Sequence, residues 1–287
     1  MRSPAVTHPF SHLLLATEHS EQDEGAEALA FALAQRCGLP LRAVLPIASN
    51  PEYEGIAPQL AAHAEAQAGE RIGALLADAR RAGLVLELQA RRGPEPWREI
   101  VDEATERGAD LLVIRRRGRR GLLANLLVGE MVRNVVTHVR CSVLVVPRGA
   151  AMWSGRVLAA IEPETADMTP VATAAAIAAE CALPLTLISV ADAAGRHEAA
   201  ERTLRAALAT ARGYGIEAGT RLLSGRAHER IVDALRDTGA DLLVIGRHRA
   251  EALPRAWLGD VAQKVIGLAE RPVLVCASPT STPRRDS

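Results

Sequence analysis

The sequence predicts an α/β protein made of two copies of one domain, each with a five-stranded parallel sheet and helices on both faces. The first observation is a repeat: residues 98–114 and 229–245 are identical at ten of seventeen positions, at an offset of 131. Earlier in each half, HLLLATE at 12–18 matches RVLAAIE at 156–162, at an offset of 144. A period of this size is that of a duplicated domain, not of a solenoid unit. The second observation is that short apolar runs alternate with long segments rich in Ala, Glu and Arg, as strands alternate with crossover helices.

The elements can be assigned in order along each half from this alternation. In the first half, strands are predicted near 12–17, 41–47, 84–90, 110–114 and 142–146, and helices near 22–37, 57–82, 94–107 and 123–138. In the second half, strands are predicted near 156–161, 185–190, 216–223, 241–245 and 272–276, and helices near 168–181, 196–213, 226–238 and 257–269.

Local sequence supports these assignments. The runs LLVI at 111–114 and VLVV at 143–146 are continuously apolar, which is typical of strands that are covered on both faces. Gly108 and Gly239 stand where a helix would end before a strand. The small and turn-forming residues of RGAAMWSG at 148–155 predict a linker. We therefore expect one domain over residues 1–149 and another over residues 150–287, the latter with a Pro-rich, disordered tail after Ser278.

Composition excludes several classes of function. Thirty-four basic residues balance thirty-four acidic ones, and aromatic residues make up 2% of the chain, which argues against polyanion binding by bulk charge and against stacking on single-stranded nucleic acid. The only lysine is Lys264, so the chain has no P-loop. The most apolar stretch, 171–194, contains charged residues, which predicts no membrane span and a cytoplasmic protein.

Metal and catalytic signatures are also missing from the sequence. The four cysteines form no CxxC pair, which is typical of buried thiols in a reducing compartment rather than of disulfides or a zinc motif. The histidines have no ligand spacing, and the sequence contains neither HExxH nor GxSxG. We therefore predict no catalytic residues and no metal site. The cysteines are Cys37, Cys141, Cys181 and Cys276.

A run of arginines follows the fourth predicted strand of the first half, in the sequence RRRGRRG at 115–121. It fits a solvated basic loop. It also fits an anion or phosphate site, because the planar guanidinium matches phosphate oxygens. Binding of nucleic acid or of an acidic partner through Arg115–Arg120 is a third interpretation.

Over residues 10–278 the chain resembles a tandem member of the universal stress protein family. The resemblance lies in these loops, in the acid that ends each first strand, in the GADLLVI segments and in the closing LVV strand. The resemblance implies a sheet order of 3-2-1-4-5 in each half, with a ligand crevice between strands 1 and 4. It implies ATP or AMP as cofactor in members that carry the loop G-x2-G-x9-G-[ST]. It also implies that the two halves pair through their fifth strands as a pseudo-dimer. The sequence leaves further homodimerisation and the protein partners open.

The first half departs from that loop pattern. Arg115 replaces the leading glycine, whereas Gly118 is in place. Ten residues instead of nine then precede Gly129, and Glu130 replaces the Ser or Thr.

The second half departs at different positions. Gly246 is present, but Arg249 replaces the second glycine. Nine residues then lead to Gly259, which is followed by Asp260. An acid at either helix start is expected to cap the helix in place of a phosphate and to repel a bound phosphate by about 1–4 kcal/mol.

By position, the resemblance assigns the adenine and ribose ends of a nucleotide to Glu18 and Glu162 after strand 1, and to Ile47 and Val190 at the end of strand 2. The acids could equally provide charge at a helix N-terminus, and the apolar residues could be plain strand packing. The leading hypothesis is a non-catalytic stress-response or regulatory protein with degenerate adenine-nucleotide sites. The alternatives are an ATP- or AMP-binding switch or slow ATPase that uses the second-half loop, and an anion or nucleic-acid binder.

Overall fold

A computed structural model describes residues 8–49, 54, 56, 58–116, 129–191, 196–247 and 258–277. Within these residues, strands and helices alternate as predicted. The strands are β1 (Leu13–Ala16), β2 (Leu41–Ala48), β3 (Leu86–Gly93), β4 (Leu111–Arg115), β5 (Ser142–Val146), β6 (Val157–Ile161), β7 (Leu185–Ala191), β8 (Gly219–Ser224), β9 (Leu242–Gly246) and β10 (Val273–Cys276). The helices are α1 (Glu24–Cys37), α2 (Pro58–Arg81), α3 (Pro96–Glu106), α4 (Glu130–His138), α5 (Thr169–Cys181), α6 (His197–Gly213), α7 (Ala227–Asp237) and α8 (Asp260–Leu268).

The ten strands form one sheet in the order β3-β2-β1-β4-β5-β10-β9-β6-β7-β8. Each half therefore has the order 3-2-1-4-5, and all pairs within a half are parallel, which confirms the predicted fold class. In this order the connection from β1 to β2 runs toward one edge of the sheet, and the connection from β4 to β5 runs in the opposite direction. The ends of β1 and β4 thus border a crevice at the carboxyl edge of the sheet.

The two halves meet through β5 and β10, the one antiparallel pair among the described strands. Leu144 pairs with Leu274, which is its own counterpart in the repeat at an offset of 130. The pseudo-twofold axis that relates the halves therefore passes through this pair. The expected pairing of the fifth strands is confirmed, and it covers two apolar edges that would otherwise be free to pair with other chains.

Alternate residues of the strands build two apolar cores, one on each face of the sheet. Leu13 and Leu15 belong to the core beneath α1, α2, α5 and α6, whereas Leu14 belongs to the core beneath α3, α4, α7 and α8. Each core includes residues from both halves, so the halves share their hydrophobic packing as well as their sheet. Gly108 and Gly239, with φ of +59° and +63°, end the helices before β4 and β9, as predicted.

Among the strands, the predicted boundaries differ most at β3, which was expected near 84–90 but runs from Leu86 to Gly93. Val85 is 91% exposed and precedes the strand. Arg91 and Arg92 lie inside it on opposite faces of the strand, and each is paired with carboxylates of the first half. Helix α4 was expected from residue 123, but the described helix begins at Glu130, and residues 117–128 lie outside the described residues.

Candidate functional site

The candidate site is the crevice of the first half, where β1 and β4 lie side by side. Ala16 is level with Ile114 in the register, so the residues that follow these two meet at the carboxyl edge of the sheet. Glu18 follows β1, and Arg115 is the last residue of β4. The structure therefore places two of the predicted site positions, Glu18 and Arg115, side by side.

The Arg115 guanidinium is bonded to three side chains around this edge. Its Nη2 donates to Glu18 Oε2 at 2.7 Å, and its Nη1 donates to Ser20 Oγ and to Asp23 Oδ2, both at 2.7 Å. The Arg115 side chain is 13% exposed and that of Asp23 is 1% exposed. Asp23 Oδ2 also accepts a hydrogen bond from the Ser20 hydroxyl at 2.6 Å. Arg115 and the three groups that accept from it, Glu18, Ser20 and Asp23, form what we call the crevice network.

The space left beside the crevice network is small. A cavity of about 30 Å³ is bordered by Glu18, Asp23 and Arg115 on one side and by the first turn of α4 on the other. A cavity of this size has room for about one or two water molecules beside these described side chains. Among the described residues, Arg115 and its three partners therefore occupy this edge of the crevice.

A second polar group lies directly behind the crevice network. Thr17 Oγ1 donates to Glu27 Oε1 at 2.5 Å, and His19 Nδ1 lies 3.1 and 3.2 Å from the two Glu27 oxygens. His19 has a φ of +49°, and its backbone N–H donates to Thr17 Oγ1 at 2.8 Å. Burial raises the pKa of Glu27, and the hydrogen bonds from Thr17 and His19 offset only part of that rise.

Sequence analysis missed Thr17, His19, Asp23 and Glu27. They belong to no spaced motif, but one signal was available. Asp23 and Glu27 are four residues apart and so lie on one face of α1, and Glu27 stands between Ala26 and Ala30, both of which are buried. A carboxylate on the apolar face of a helix needs a polar partner, and the end of β1 is the nearest place for one.

The starts of α4 and α8 have the same geometry in both halves. Gly129 and Gly259 are the N-cap residues, with φ of −56° in each and ψ of 147° and 153°. A glycine N-cap offers no side chain to cap the first turn of either helix. Glu130 and Asp260 are exposed, and Asp260 Oδ2 accepts from Lys264 Nζ at 2.6 Å. The Asp260 carboxylate is therefore paired with a lysine one turn along the helix.

The crevice of the second half has a glycine where the first half has Arg115. Gly246 ends β9, beside the end of β6, and Glu162 follows β6 and is exposed. A Cβ atom built on Gly246 would lie 3.1 Å from Pro170 Cγ at the start of α5. Gly246 has no side chain, so nothing from this position extends across the crevice as Arg115 does in the first half.

At the end of β2, two neighbouring residues lie differently with respect to this cavity. Pro46, not Ile47, borders the cavity. Val190 is 6% exposed and packs in a core, which agrees with the interpretation as strand packing. Leu13 pairs with Leu41, and Val157 pairs with Leu185 at the same place in the second half. The offset between β2 and β7 is therefore 144, and Val190 is the counterpart of Pro46.

Within the described part of the chain, the side chains of Arg116 and Arg247 bond to the opposite half and not to the crevices. Arg116 donates to the carbonyls of Ile266, Gly267 and Ala269, at 3.3 and 2.9 Å for the first two. Arg247 donates to the carbonyls of Val139 and Cys141, at 2.5 and 2.9 Å. Each guanidinium thus lies at the end of the last helix of the opposite half. We call these two contacts the cross-half arginine contacts.

Two of the five arginines in the 115–121 run are therefore bonded within the protein, and neither is a solvated residue of a basic loop. Arg247, the counterpart of Arg116 in the second half, is 8% exposed and bonded in the same way. The predicted site residues Gly118 and Arg249 lie outside the described residues. So does the segment 117–120, on which the nucleic-acid interpretation mainly depends.

Comparison with known proteins agrees with this architecture. A model of the universal stress protein family matches residues 9–147 and again residues 154–277. Universal stress protein Sll1388 of Synechocystis sp. is 31% identical over 152 residues, which is 48% of this chain and 97% of that protein.

Solved structures show the same fold over the whole chain. A universal stress protein from Archaeoglobus fulgidus DSM 4304 superposes with a TM-score of 0.74 at 17% identity, covering 95% of this chain and 98% of the other. A putative universal stress protein from Pseudomonas aeruginosa UCBPP-PA14 gives 0.70 at 19% identity, covering 95% of each chain. None of the described helices is both long and apolar enough to cross a bilayer. With two family matches, a curated relative and this shared fold, the chain belongs to the universal stress protein family and carries its domain twice in tandem.

Proposed function

We propose that this chain is a non-catalytic regulatory protein of the stress response, located in the cytoplasm, in which the nucleotide site of the first half is closed. The observation that carries the proposal is the bonding of Arg115 to Glu18, Ser20 and Asp23. Arg115, which the sequence analysis considered as a phosphate ligand, is bonded instead to carboxylates of the protein. Partner binding, rather than turnover of a substrate in this crevice, is then the function left to the first half.

The energetics favour the closed state. A nucleotide that took Arg115 for its phosphates would leave Asp23, which is 1% exposed, as a buried and unpaired carboxylate. Removal of one partner from a buried ion pair costs about 3–5 kcal/mol, which corresponds to about two to four decades of affinity. Glu130 at the start of α4 adds repulsion of about 1–4 kcal/mol toward a phosphate placed there. The first half is therefore expected to bind ATP or AMP far more weakly than an open site would.

A second candidate function, an adenine-nucleotide switch in the second half, is favoured by Gly246. A glycine at this position leaves the crevice between β6 and β9 without an arginine from β9, so there is no counterpart of the crevice network centred on that residue. Asp260 remains a like charge toward phosphate, but Lys264 pairs with it at 2.6 Å and reduces that penalty. Any ATP or AMP is then expected in the second half.

Calorimetric titration of nucleotide-free protein with AMP and ATP, with and without Mg²⁺, tests both candidates. The matched variants are Gly129→Val and Gly259→Val, because the two glycines have the same backbone conformation at equivalent helix starts. We expect at most one nucleotide per chain, no effect of Gly129→Val, and loss of binding in Gly259→Val. Two nucleotides per chain, or loss of binding in Gly129→Val, would contradict the closed first half. Multiple turnovers of ATP would contradict the non-catalytic role.

A further inference from the structure

A separate polar cluster lies at the opposite edge of the sheet from the crevices. Helices α1 and α5 end side by side across the pseudo-twofold axis, at Cys37 and Cys181, and the segment that leads into β1 passes over them. A cavity of about 30 Å³ opens between them and is lined by apolar residues of both halves together with His8, Cys37, Glu180 and Cys181. Three different parts of the chain therefore bring ligand-type side chains to one place.

The donor atoms of this cluster converge on one carboxylate. His8 Nδ1 lies 2.6 Å from Glu180 Oε1, and Cys37 Sγ donates to the same oxygen at 3.3 Å. One ligand atom from each of the three residues lies within 4.8 Å of the other two. In a tetrahedral site with metal bonds of about 2.0–2.3 Å, neighbouring donors are about 3.3–3.8 Å apart. The Cys37–Glu180 separation lies in this range, whereas His8 Nδ1 and Glu180 Oε1 are at hydrogen-bond distance and would move apart to bind one ion.

Cys181 also lines the cavity, although its Sγ is not among the three ligand atoms that lie within 4.8 Å of one another. It occupies the position of Cys37 in the repeat, at the offset of 144, and is the last residue of its helix in the same way. The pseudo-twofold axis therefore brings two thiols, one from each half, to the cavity where His8 and Glu180 meet.

Trp153, in the connection between β5 and β6, points to an occupant of the cavity. Its side chain is 4% exposed and lines the cavity, yet its indole N–H has no hydrogen-bond partner among the described residues. A buried donor without an acceptor costs about 1–3 kcal/mol. A water molecule held in the cavity would accept this hydrogen bond and remove the cost.

We propose that His8, Cys37, Glu180 and Cys181 form a zinc site that joins the two halves and the N-terminal segment. A set of one imidazole, one carboxylate and two thiols suits Zn²⁺, whereas Mg²⁺ and Ca²⁺ prefer oxygen alone. Zinc takes the place of the protons that now lie between these groups, and the thiol protons are released to solvent. Sequence spacing gave no sign of this site, because its ligands come from three distant segments.

The experiment is titration of the full-length protein, purified with a chelator and kept reduced, with Zn²⁺ followed by calorimetry and with Co²⁺ followed by absorption. We expect one ion per chain, a thiolate-to-cobalt charge-transfer band, and a higher melting temperature with zinc. Loss of an outer-shell partner commonly weakens metal binding by about 10–100-fold, so loss of a ligand in Cys37→Ser or Glu180→Gln should weaken it by at least about 100-fold. Cys141→Ala, which removes a thiol away from the cluster, should bind zinc like the unmodified chain.

Circular dichroism of each apo variant checks that it is folded, and Glu180→Gln tests the site without removing a thiol. Absence of stoichiometric zinc binding by the unmodified protein would overturn the proposal. Undiminished binding in folded Cys37→Ser or Glu180→Gln would overturn it as well. An unchanged cobalt band in Cys181→Ser would overturn the assignment of Cys181 as the fourth ligand.

Discussion

Arg116 and Arg247 occupy the same position in the two repeats, and each crosses the central seam to bond the carbonyls at the end of the other half's last helix. A cation at a helix C-terminus is favourable, and here it also bonds carbonyls that the helix itself leaves unpaired. The seam between the halves therefore combines a strand pair, two shared cores and the cross-half arginine contacts.

Arg247→Met is expected to lower the free energy of unfolding by about 2–4 kcal/mol, because it leaves the carbonyls of Val139 and Cys141 without their charged donor. Arg247 is 8% exposed, so water does not easily replace it. Urea denaturation measures the change. Arg226→Met, in an exposed pair with Glu229 on α7, is the control and should change stability by no more than about 0.5 kcal/mol. Equal effects of the two substitutions would contradict the role of the cross-half contact.

Asp23→Asn is expected to destabilise the protein by about 3 kcal/mol, since it breaks a buried ion pair while Arg115 keeps Glu18 and Ser20. The comparison is Glu21→Gln, whose pair with Arg148 spans 3.4 Å with side chains 81% and 52% exposed. Exposed pairs of this kind contribute about 0–1 kcal/mol. Chemical denaturation of both variants measures the difference. A loss in Asp23→Asn as small as that in Glu21→Gln would show that the crevice network is not a buried ion pair in solution.

Gly25→Ala and Gly73→Ala are expected to change stability in opposite directions. A Cβ on Gly25 would lie 2.7 Å from the carbonyl oxygen of Pro147, so the backbone must move, at a cost of about 1–3 kcal/mol. A Cβ on Gly73, inside α2, meets nothing within 4 Å, and alanine there should add about 0.5–1 kcal/mol. Thermal unfolding of the two variants tests this. The same direction of change in both would show that α1 is not held as closely against residue 147 as described.

Glu27→Gln is expected to flatten part of the pH dependence of stability. Burial raises the pKa of Glu27 in the folded state, so the folded protein holds this proton more tightly than the unfolded chain does. The contribution is therefore fully present below the ordinary glutamate pKa and is lost as the pH rises through the raised value. Relative to the unmodified protein, the glutamine variant should gain stability as the pH rises through this window. Denaturation curves at a series of pH values measure it, and a constant difference between the two proteins would contradict the raised pKa.

Most of the fold could be predicted from the chain because its information is local. The run Leu111–Ile114 is too apolar for an edge position, and its repeat at Leu242–Ile245 marks the matching strand. The edge strand β3 was harder, since Arg91 and Arg92 break the apolar pattern while remaining in the ladder. There the sequence could not reveal which face of the strand would be open to solvent.

The site was predicted only in outline, because its contacts join residues far apart in sequence. Arg115 and Asp23 are 92 positions apart, and nothing in either segment indicates that one side chain closes on the other. Arg115 and Arg116 are adjacent, but strand alternation sends one to the crevice and the other to the second half. A run of like residues thus conceals two unrelated functions.

The fusion of the two domains through Leu144 and Leu274 has an evolutionary consequence. In a symmetric dimer of separate chains, any substitution in one crevice appears in the other, because both subunits share one gene. A fused pair escapes this restriction. Arg115 in the first copy occupies the position that Gly246 occupies in the second. Joining the domains therefore allows the residues of one crevice to change while those of the other crevice are retained.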